Sequence, residues 1–526
     1  MKRLLCCVIL LSGCGQSFNG PGTSVPVRAL RPEDRVLLGD FSRVNALAAS
    51  FDRLFVAYPT ALGIYRPIER RWDVPRSPAE PRLLSLVFAA VIDGIDHSVW
   101  LALPDGWLHY RPDNDQWDRG VIPARVQSIA TDDVDPARGI WFLTASGWFL
   151  QPRFGGAANP AAPPRTLRPA TTVEDAMRDL PQLRALAPTL TTGPRLGAGR
   201  ITAAAPSADN NGWYLGTTNR GLLFFSRLGA QAEAFQLGLP SEVVGAVAAS
   251  GEVVWVATDA TTESGAQLTR LSSDLSHSET LNGLITTGLP FNATRRLLIT
   301  DKALWAGTDQ GLVRQPLNGG SLTRFDGATG LADQRVTALT LRNGRVVAGT
   351  LRGLSEEGST GRIDRIATKY FGAAYDLVAR GDTVFAATAN GLGVQTSGGD
   401  DLVIPDAFRG VAGGSGPVYG VGFVADTLVA MNADRLIWRD PRTGSWTPGP
   451  MLSGETGRLT TLLADESGVW VAGTRGAALV RPNLGPLRFL TVPGDLPDQV
   501  TSIARTRNHL WIGTPRGLVR YLLEVR

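Results

Sequence analysis

The chain has few of the residues on which most catalytic and metal sites depend. Its 526 residues include only four histidines, and no two of them have the spacing of paired metal ligands. No HExxH motif, phosphate-binding glycine loop or nucleophile elbow occurs. The sequence therefore predicts no metal, no cofactor and no catalytic residue, although an enzyme whose residues gather from distant repeats, a polysaccharide lyase or hydrolase, stays an alternative.

The chain also lacks a strong charge bias and a long apolar run. It has 52 basic and 48 acidic residues, for a formal net charge of +4, and both signs are spread along the sequence. A nucleic-acid partner would need a basic stripe or cluster, so we expect none. The one marked apolar run, residues 4–11, is too short to span a bilayer.

The first fourteen residues resemble a bacterial lipoprotein signal. A basic start at Lys2 and Arg3 is followed by the apolar run and then by Leu11-Ser12-Gly13-Cys14. The resemblance implies that residues 1–13 are a removed signal peptide and that Cys14 carries the lipid. Gly15 after the cysteine implies the outer membrane if the host is Gram-negative. An ordinary secretory signal that contains a cysteine is the alternative.

The mature chain would then hold a single cysteine, Cys14, since the other two lie in the signal peptide. Disulfides and cysteine-based metal sites are therefore not expected. Residues 14–30 are rich in Gly, Ser, Pro and Asn, a composition that predicts a flexible tether between the membrane and the folded part.

A strand pattern recurs eleven times along the chain. Each copy has a short apolar strand, a turn, a second strand that carries an aromatic or aliphatic residue, and a glycine turn. Aligned on that residue, most copies lie about 40 residues apart, which is typical of four-stranded propeller blades. The positions are Phe55, Trp100, Trp141, Trp213, Trp255, Trp305, Val347, Phe385, Val429, Trp470 and Trp511. We predict an all-β propeller protein in which these side chains fill the wedges between neighbouring sheets.

Three motifs together resemble the repeats of two-component regulator propellers. They are a strand such as Leu304-Trp305-Ala306-Gly307-Thr308, a following turn such as Gly311-Leu312, and a Gly-Leu-Pro passage such as residues 238–240. The likeness covers residues 200–526 well and 40–155 more loosely. It implies a propeller that binds a ligand at the cell envelope, here as a lipoprotein without the kinase half found in that family.

Eleven units exceed the four to eight blades of a typical ring, so we expect two propellers, with one large ring as the alternative. The predicted division is a first region at residues 31–290, which includes an insertion at 155–199, and a second region at 291–526. The last unit has three strands only, and the segment 34–39 is the candidate for its missing fourth strand. Closure by that segment implies either an inserted ring or two sequential rings.

The insertion contains the one helical pattern. Thr171 and Glu174 have capping-box spacing, and Pro181 is suited to begin a second short helix, so we expect helical structure near residues 171–187. The segment either folds back over its own propeller or acts as a lid or docking element.

Four arginines precede the glycine of the turn between the second and third strands. Such turns recur on one face of a propeller, and the planar guanidinium suits carboxylates and sulfates. We hypothesise that Arg220, Arg352, Arg475 and Arg516 bind an acidic glycan or an acidic segment of a protein. The sequence thus predicts a non-catalytic, membrane-anchored propeller with a protein or glycan ligand. An envelope assembly scaffold is a further alternative.

Overall fold

A computed structural model describes residues 28–153, 155–191, 199–229, 232–235, 237–259, 267–281, 293–358, 361–482 and 485–525. The predicted signal peptide, Cys14 and the tether up to residue 27 lie outside these ranges. The described chain forms eleven antiparallel sheets, which we number sheet 1 to sheet 11 in chain order. The predicted all-β propeller fold is confirmed.

The first four sheets contain these strands. Sheet 1 has β2 (Ala46–Ala49), β3 (Leu54–Ala57), β4 (Leu62–Arg66) and β5 (Arg71–Asp73). Sheet 2 has β6 (Ala89–Ile92), β7 (Val99–Leu103), β8 (Gly106–Arg111) and β9 (Gln116–Val121). Sheet 3 has β10 (Val126–Asp132), β11 (Gly139–Thr144), β12 (Gly147–Pro152), β13 (Asn159–Pro160) and β14 (Leu167–Pro169). Sheet 4 has β15 (Ile201–Pro206), β16 (Gly212–Thr217), β17 (Leu222–Ser226) and β18 (Ala232–Phe235).

The next four sheets continue the pattern. Sheet 5 has β19 (Val244–Ser250), β20 (Val253–Thr258), β21 (Gln267–Ser272) and β22 (Ser278–Leu281). Sheet 6 has β23 (Thr294–Ile299), β24 (Ala303–Thr308), β25 (Gly311–Pro316) and β26 (Thr323–Phe325). Sheet 7 has β27 (Val336–Arg342), β28 (Arg345–Thr350), β29 (Gly353–Glu357) and β30 (Ile363–Ile366). Sheet 8 has β31 (Ala374–Arg380), β32 (Thr383–Thr388) and β33 (Gly391–Thr396), with a bridge from Val394 to Val403 at its edge.

The last three sheets lead back to the N-terminal strand. Sheet 9 has β34 (Gly420–Val424), β35 (Thr427–Met431), β36 (Arg435–Arg439) and β37 (Trp446–Met451). Sheet 10 has β38 (Leu459–Asp465), β39 (Gly468–Gly473), β40 (Gly476–Arg481) and β41 (Gly485–Thr491). Sheet 11 has β42 (Ser502–Arg505), β43 (His509–Thr514), β44 (Gly517–Val525) and β1 (Arg28–Leu38).

Short helices lie between the sheets. The α-helices are α1 (Val173–Asp179), α2 (Pro181–Thr191), α3 (Asp406–Arg409) and α4 (Ser453–Thr456). Three 3₁₀ turns lie at Pro81–Leu86, Pro136–Arg138 and Gly327–Thr329. The predicted capping box begins one residue later than expected, because Thr172, not Thr171, caps α1 and exchanges hydrogen bonds with Asp175. Pro181 begins α2, as predicted.

The first strands of the sheets contact one another in two separate sets. In the seven-sheet ring, sheets 5–11, the contacts run from β19 through β23, β27, β31, β34 and β38 to β42, and from β42 back to β19. In the four-sheet ring, sheets 1–4, β2 contacts both β6 and β15, and β6 contacts β10. The expected boundary near residue 290 would separate β19 from β23. These strands are instead in contact, so sheet 5 packs with the second group.

Each ring closes by a different device. In the seven-sheet ring, β1 pairs with β44 from Arg28 opposite Val525 to Leu38 opposite Leu518. The candidate closing segment 34–39 therefore lies in the strand that completes sheet 11, and the four-sheet ring is inserted between β1 and β19. In the four-sheet ring, α1 and α2 lie between sheets 3 and 4. The buried Leu183 of α2 packs in one cluster with residues of sheet 4 such as Leu215.

Two faces follow from the antiparallel order of the strands. We call upper the face at which each first strand turns into its second, where the turns from third to fourth strand also lie. The lower face carries the turns from second to third strand and the connections between sheets. Within each ring the first strands run in the same direction, as the linings of two cavities show. One cavity is lined by the beginnings of β2, β6, β10 and β15. The other is lined by the ends of β19, β23, β38 and β42.

The two rings lie side by side with their upper faces on the same side. On the lower side, the two connecting segments pair between Asp40 and Leu239. On the upper side, the Trp72 backbone N–H in sheet 1 donates to the carbonyl of Ser276, in the third turn of sheet 5. One buried cluster, which includes Leu47 of the four-sheet ring and Val256 of the seven-sheet ring, joins the two.

Candidate functional site

The four turn arginines predicted as a ligand site each contact the segment that leads into their own sheet. Two donate to backbone carbonyls: the Arg220 Nη1 atom lies 2.6 Å from Leu190 O, and the Arg475 Nη2 atom lies 3.1 Å from Ser453 O. The other two face carboxylates: Arg352 pairs with Asp333 at 3.7 Å, and Arg516 pairs with Asp498 at 3.8 Å. These contacts brace the connections that precede β15, β38, β27 and β42.

The structure distributes these arginines over both rings. Arg220 belongs to the four-sheet ring, Arg475 and Arg516 belong to neighbouring sheets 10 and 11, and Arg352 belongs to sheet 7. The turn after Arg220 also holds the connection between the rings, since the Gly221 N–H donates to Ser42 O at 2.6 Å. Binding of an acidic ligand at these four positions stays a prediction.

The eleven aligned residues of the second strands lie where the repeat pattern places them, and ten of them are buried at 6% exposure or less. The exception is Phe385 of sheet 8, which is half-buried. Tryptophan rings occupy seven of the other ten positions, for example Trp470 between sheets 10 and 11, and Phe55, Val347 and Val429 occupy the remaining three. Phe385 therefore marks a seam that the core does not fill completely.

An open cleft lies at this seam between sheets 8 and 9. Phe385 meets the half-buried Phe423 of sheet 9 edge to face, with ring centroids 5.5 Å apart. The Arg380 guanidinium carbon lies 3.8 Å from the centroid of the Phe423 ring, and its Nη1 atom lies 3.2 Å from Asp426. The cavity has a volume of about 750 Å³. We call it the sheet 8–9 cleft.

The sheet 8–9 cleft carries an excess of positive charge beside aromatic surface. Its lining includes Arg380, Arg439 and Arg442 against one acid, Asp426. Arg439 and Arg442 are exposed, so their guanidinium groups are open to a ligand. A carboxylate can take two parallel hydrogen bonds from one guanidinium, and an aromatic ring offers a flat apolar surface beside it. The arrangement suits an acidic ligand with an apolar face, such as an acidic sugar.

Sequence reasoning missed this cleft because its residues come from two units, more than 50 positions apart at their extremes. No single repeat shows it. The available signal was a departure from the pattern: sheet 8 has Phe385 where most units have tryptophan, and its third strand is followed by no regular fourth strand.

Two larger cavities lie on the axes of the rings. The cavity of the four-sheet ring, about 790 Å³, is lined by first strands and by residues of α1 and α2 such as Met177 and Arg184. The cavity of the seven-sheet ring, about 810 Å³, has Asp465, Glu466, Arg505 and Arg507 at its upper end. Arg505 forms an ion pair with Asp465, so part of this charge is neutralised within the ring.

A serine and a histidine in sheet 2 are in hydrogen-bond contact, as a nucleophile and its base would be. Both side chains are buried, so a substrate could not reach them. The Ser98 Oγ atom lies 2.7 Å from His109 Nε2, and the imidazole stacks on Trp100 at 3.9 Å. Ser98 is 0% exposed and His109 is 3% exposed. Burial lowers the pKa of His109 to about 3, so the ring is neutral at physiological pH. This pair belongs to the packing of sheet 2.

Two turns rich in aspartate, at residues 132–135 and 113–115, have carboxylates of the kind that bind calcium, but these take part in hydrogen bonds and ion pairs within the fold. Asp132 accepts from the Thr166 hydroxyl at 2.6 Å and from the Val134 N–H at 3.1 Å. Asp115 pairs with Arg76 at 2.9 Å. Within the described ranges, no group of three or more His, Cys, Asp and Glu side chains is arranged to hold a metal ion.

The described part of the chain also contains no helix that is long and apolar enough to cross a membrane.

Comparisons with known proteins give structural neighbours only. No family model matches the chain. No curated protein matches it either. Among solved structures, it is similar to PorZ of Porphyromonas gingivalis, a bacterial surface component of the type-IX secretion system, with a TM-score of 0.45 and 13% identity over 91% of this chain and 69% of that one.

Two further solved structures match this chain to a similar degree. The extracellular domain of a hybrid two-component system of B. thetaiotaomicron gives a TM-score of 0.39 and 15% identity over 92% of this chain and 66% of that one. BamB of Moraxella catarrhalis gives a TM-score of 0.37 and 14% identity over 60% and 95%. Such scores carry no argument about function, and the propeller assignment rests on the eleven sheets of this chain.

Proposed function

We propose that this protein is a non-catalytic, lipid-anchored propeller that binds an acidic ligand, a glycan or a protein segment, at the bacterial cell envelope. The observation that carries the proposal is the sheet 8–9 cleft. There Arg380, Arg439 and Arg442 outnumber the single Asp426 beside two half-buried phenylalanine rings. The sequence through Cys14 supports the anchor, and the outer membrane is the proposed site.

The binding proposal is tested with an acidic oligosaccharide and its neutral counterpart. Oligomers of galacturonic acid and of galactose differ in the carboxylate, so calorimetry or surface plasmon resonance should detect binding of the first only. Changing Arg439 and Arg442 together to glutamine should lower the affinity roughly tenfold to a hundredfold. A hydrogen bond to a charged group contributes about 1.5–3 kcal/mol.

The control is a matched change outside the cleft. Arg352→Gln with Arg516→Gln removes two exposed arginines that brace lower-face connections and leaves the cleft intact. We expect this variant to bind as the unchanged protein does. Equal loss in both double variants would contradict the cleft and would return the site to the turn arginines. Equal binding of the acidic and neutral oligomers would contradict recognition of an acidic ligand.

The anchor is tested separately. We expect Cys14→Ser to move the protein from the membrane fraction to the soluble fraction. Mass spectrometry of the N-terminal peptide should find acyl chains on Cys14 of the unchanged protein. A soluble unchanged protein with a free or absent Cys14 would contradict lipidation and would leave the binding result untouched.

A further inference from the structure

Five exposed apolar side chains lie at upper-face turns of the four-sheet ring, and we call them the apolar tips. Three lie between a first and a second strand, and two lie between a third and a fourth. They are Phe51 (81% exposed), Ile95 (48%), Val134 (75%), Ile68 (76%) and Leu228 (101%). Each of the four sheets contributes at least one. Single exposed apolar residues are common on protein surfaces, but here they occupy two kinds of turn that lie on the same face.

The corresponding turns of the seven-sheet ring are different. Between first and second strands they carry polar or small residues, among them Gly251-Glu252, Asp301-Lys302, Asn343-Gly344, Gly381-Asp382 and Glu466-Ser467. Both rings are built from the same repeat, so the repeat itself does not require apolar turns. In the third-to-fourth turns the contrast is weaker, because Leu317 of sheet 6 is 38% exposed, so the apolar first-to-second turns are what set the four-sheet ring apart.

Part of the charge beside the tips is neutralised by ion pairs, while Glu69 beside Ile68 and Asp135 beside Val134 are exposed and form no ion pair with the described residues. In each of sheets 1 to 3, an acid next to the tip in the first turn pairs with an arginine. The pairs are Asp52 with Arg53 at 2.8 Å, Asp96 with Arg153 at 2.8 Å, and Asp133 with Arg168 at 3.7 Å. Paired acids repel an anionic lipid surface less than free acids do.

The chain outside the described residues joins the fold on the same face. β44 rises from the lower-face turn at Gly517 to Val525, and Arg28 pairs with Val525, so β1 begins at the upper face beside the junction of the rings. Fourteen positions separate Arg28 from Cys14. They can span at most about 50 Å. A lipid on Cys14 would keep the upper face near the membrane.

We propose that the upper face of the four-sheet ring docks on the lipid bilayer and that the apolar tips insert into its interfacial region. The inference rests on the proposed lipid anchor for its direction. Separate tips on one face of a ring fit a flat lipid surface. Arg380 and Arg442 also lie at upper-face turns, so docking would bring the sheet 8–9 cleft to the membrane surface.

The test replaces the acyl anchor, so that it does not depend on lipidation. Residues 15–526 contain every described residue and no cysteine. A hexahistidine tag in place of residues 1–14 would tether this chain to vesicles of phosphatidylethanolamine and phosphatidylglycerol that contain a nickel-chelating lipid. Single cysteines at Phe51, Val134 and Phe371 would each carry an environment-sensitive fluorophore.

Phe371 is the matched control, because it is 66% exposed and lies on the lower face between β30 and β31. We expect labels at positions 51 and 134 to shift to shorter wavelength and to be quenched by lipids spin-labelled on the acyl chain. The label at position 371 should keep the emission wavelength of a water-exposed fluorophore and should not be quenched by these lipids. Labels at 51 and 134 that behave as the label at 371 does would overturn the proposal.

A second measurement keeps the histidine tether and uses no label. Phe51→Ser with Val134→Ser should weaken sedimentation with the same vesicles at least about tenfold, whereas Phe371→Ser should not. All three side chains are exposed, so unchanged thermal melting is expected to show that the variants are folded. Equal vesicle binding by the double variant and the unchanged protein would also overturn the proposal. A soluble Cys14→Ser protein bears on the anchor only.

Discussion

The four-sheet ring and the seven-sheet ring use the same repeat and solve the problem of closure in different ways. In the seven-sheet ring, the last sheet has three strands of its own and receives β1 from the other end of the chain. In the four-sheet ring, every sheet is built from consecutive segments, and α1 and α2 pack on sheet 4 and line the ring's cavity together with β10 of sheet 3. The repeat thus supplies the wedges, and elements outside the repeat complete the rings.

The rings also differ in how neighbouring sheets are joined on the upper face. In the seven-sheet ring, polar turns reach across to the next sheet: Arg505 pairs with Asp465, and Arg380 pairs with Asp426. The buried Arg342 pairs with Glu356 at 2.6 Å and also donates to Gln395 of sheet 8. The four-sheet ring has comparable pairs, Arg153 with both Asp93 and Asp96 of sheet 2 and Arg76 with Asp115, and differs in the apolar tips that it also presents.

Disrupting β1, the strand that closes the seven-sheet ring, should lower the free energy of unfolding more than any other change proposed below. Leu38 of β1 is 0% exposed and packs in the cluster that joins the rings. Leu38→Asp buries a charge without a partner, so we expect the free energy of unfolding to fall by about 4 kcal/mol or more. Thermal or denaturant unfolding measures it, and hydrogen exchange should show the first loss of protection in sheet 11.

The control for this change is Val121→Asp, at the exposed end of β9, where Val121 is 63% exposed. We expect a change within about 0.5 kcal/mol there. If Leu38→Asp cost no more than Val121→Asp, the seven-sheet ring would not depend on its N-terminal strand.

Weakening the packing of α1 and α2 should lower the free energy of unfolding less. The change in hydrogen exchange should be confined to the four-sheet ring. Leu183 of α2 is 0% exposed in a cluster with sheet 4. Leu183→Ala leaves a cavity there, and we expect a loss of about 3 kcal/mol. Hydrogen exchange should rise in α1, α2 and sheet 4 and stay unchanged in sheets 6 to 10.

The control for Leu183→Ala is Leu228→Ala. The same truncation at a fully exposed side chain removes no packing, so the free energy of unfolding should hardly change. Equal loss of protection in both rings after Leu183→Ala would show that the helices stabilise the whole molecule and not the four-sheet ring alone.

Lowering the pH should destabilise each ring through one histidine, the buried His109 in the four-sheet ring and the half-buried His509 in the seven-sheet ring. Burial lowers the pKa of His109 to about 3 and that of His509 to about 4. The unfolded chain binds these protons near pH 6.5, before the folded chain does, so stability is full above that pH and falls as the pH is lowered. Each histidine can contribute at most about 2 kcal/mol of loss between pH 6.5 and pH 5.

His109→Gln should therefore reduce the pH dependence of unfolding in this range, and adding His509→Gln should reduce it further. Urea unfolding at several pH values measures the slope. An unchanged slope in both variants would show that the histidines are not the groups that titrate, and carboxyl groups would have to be considered.

The strand pattern made much of the fold predictable, because a residue in the second strand of a blade faces a neighbouring sheet wherever the blade occurs. Trp305 and Trp511 are buried as that pattern predicts. The closing role of the segment 34–39 could be read from the short last unit. The sequence did not show that sheet 5 belongs to the seven-sheet ring. Its contacts with sheet 6 and sheet 11 depend on where the chain crosses between the rings.

Candidate ligand residues were less predictable. Arg475 and Arg516 occupy equivalent turns, as the repeat implies, but their partners lie in connections of irregular sequence. The sheet 8–9 cleft depends on Phe385 and Phe423 from separate units, and no local spacing relates them.

The amino-acid sequence by itself determined the blades, because alternation of apolar residues, glycine turns and a large side chain at a fixed place are local properties of each unit. Only the tertiary structure decided how many blades share an axis, which elements close each ring, and which arginines and exposed side chains meet on one face. Those outcomes depend on packing between segments far apart in the chain, where the shape of each wedge and the path of the connections select one arrangement.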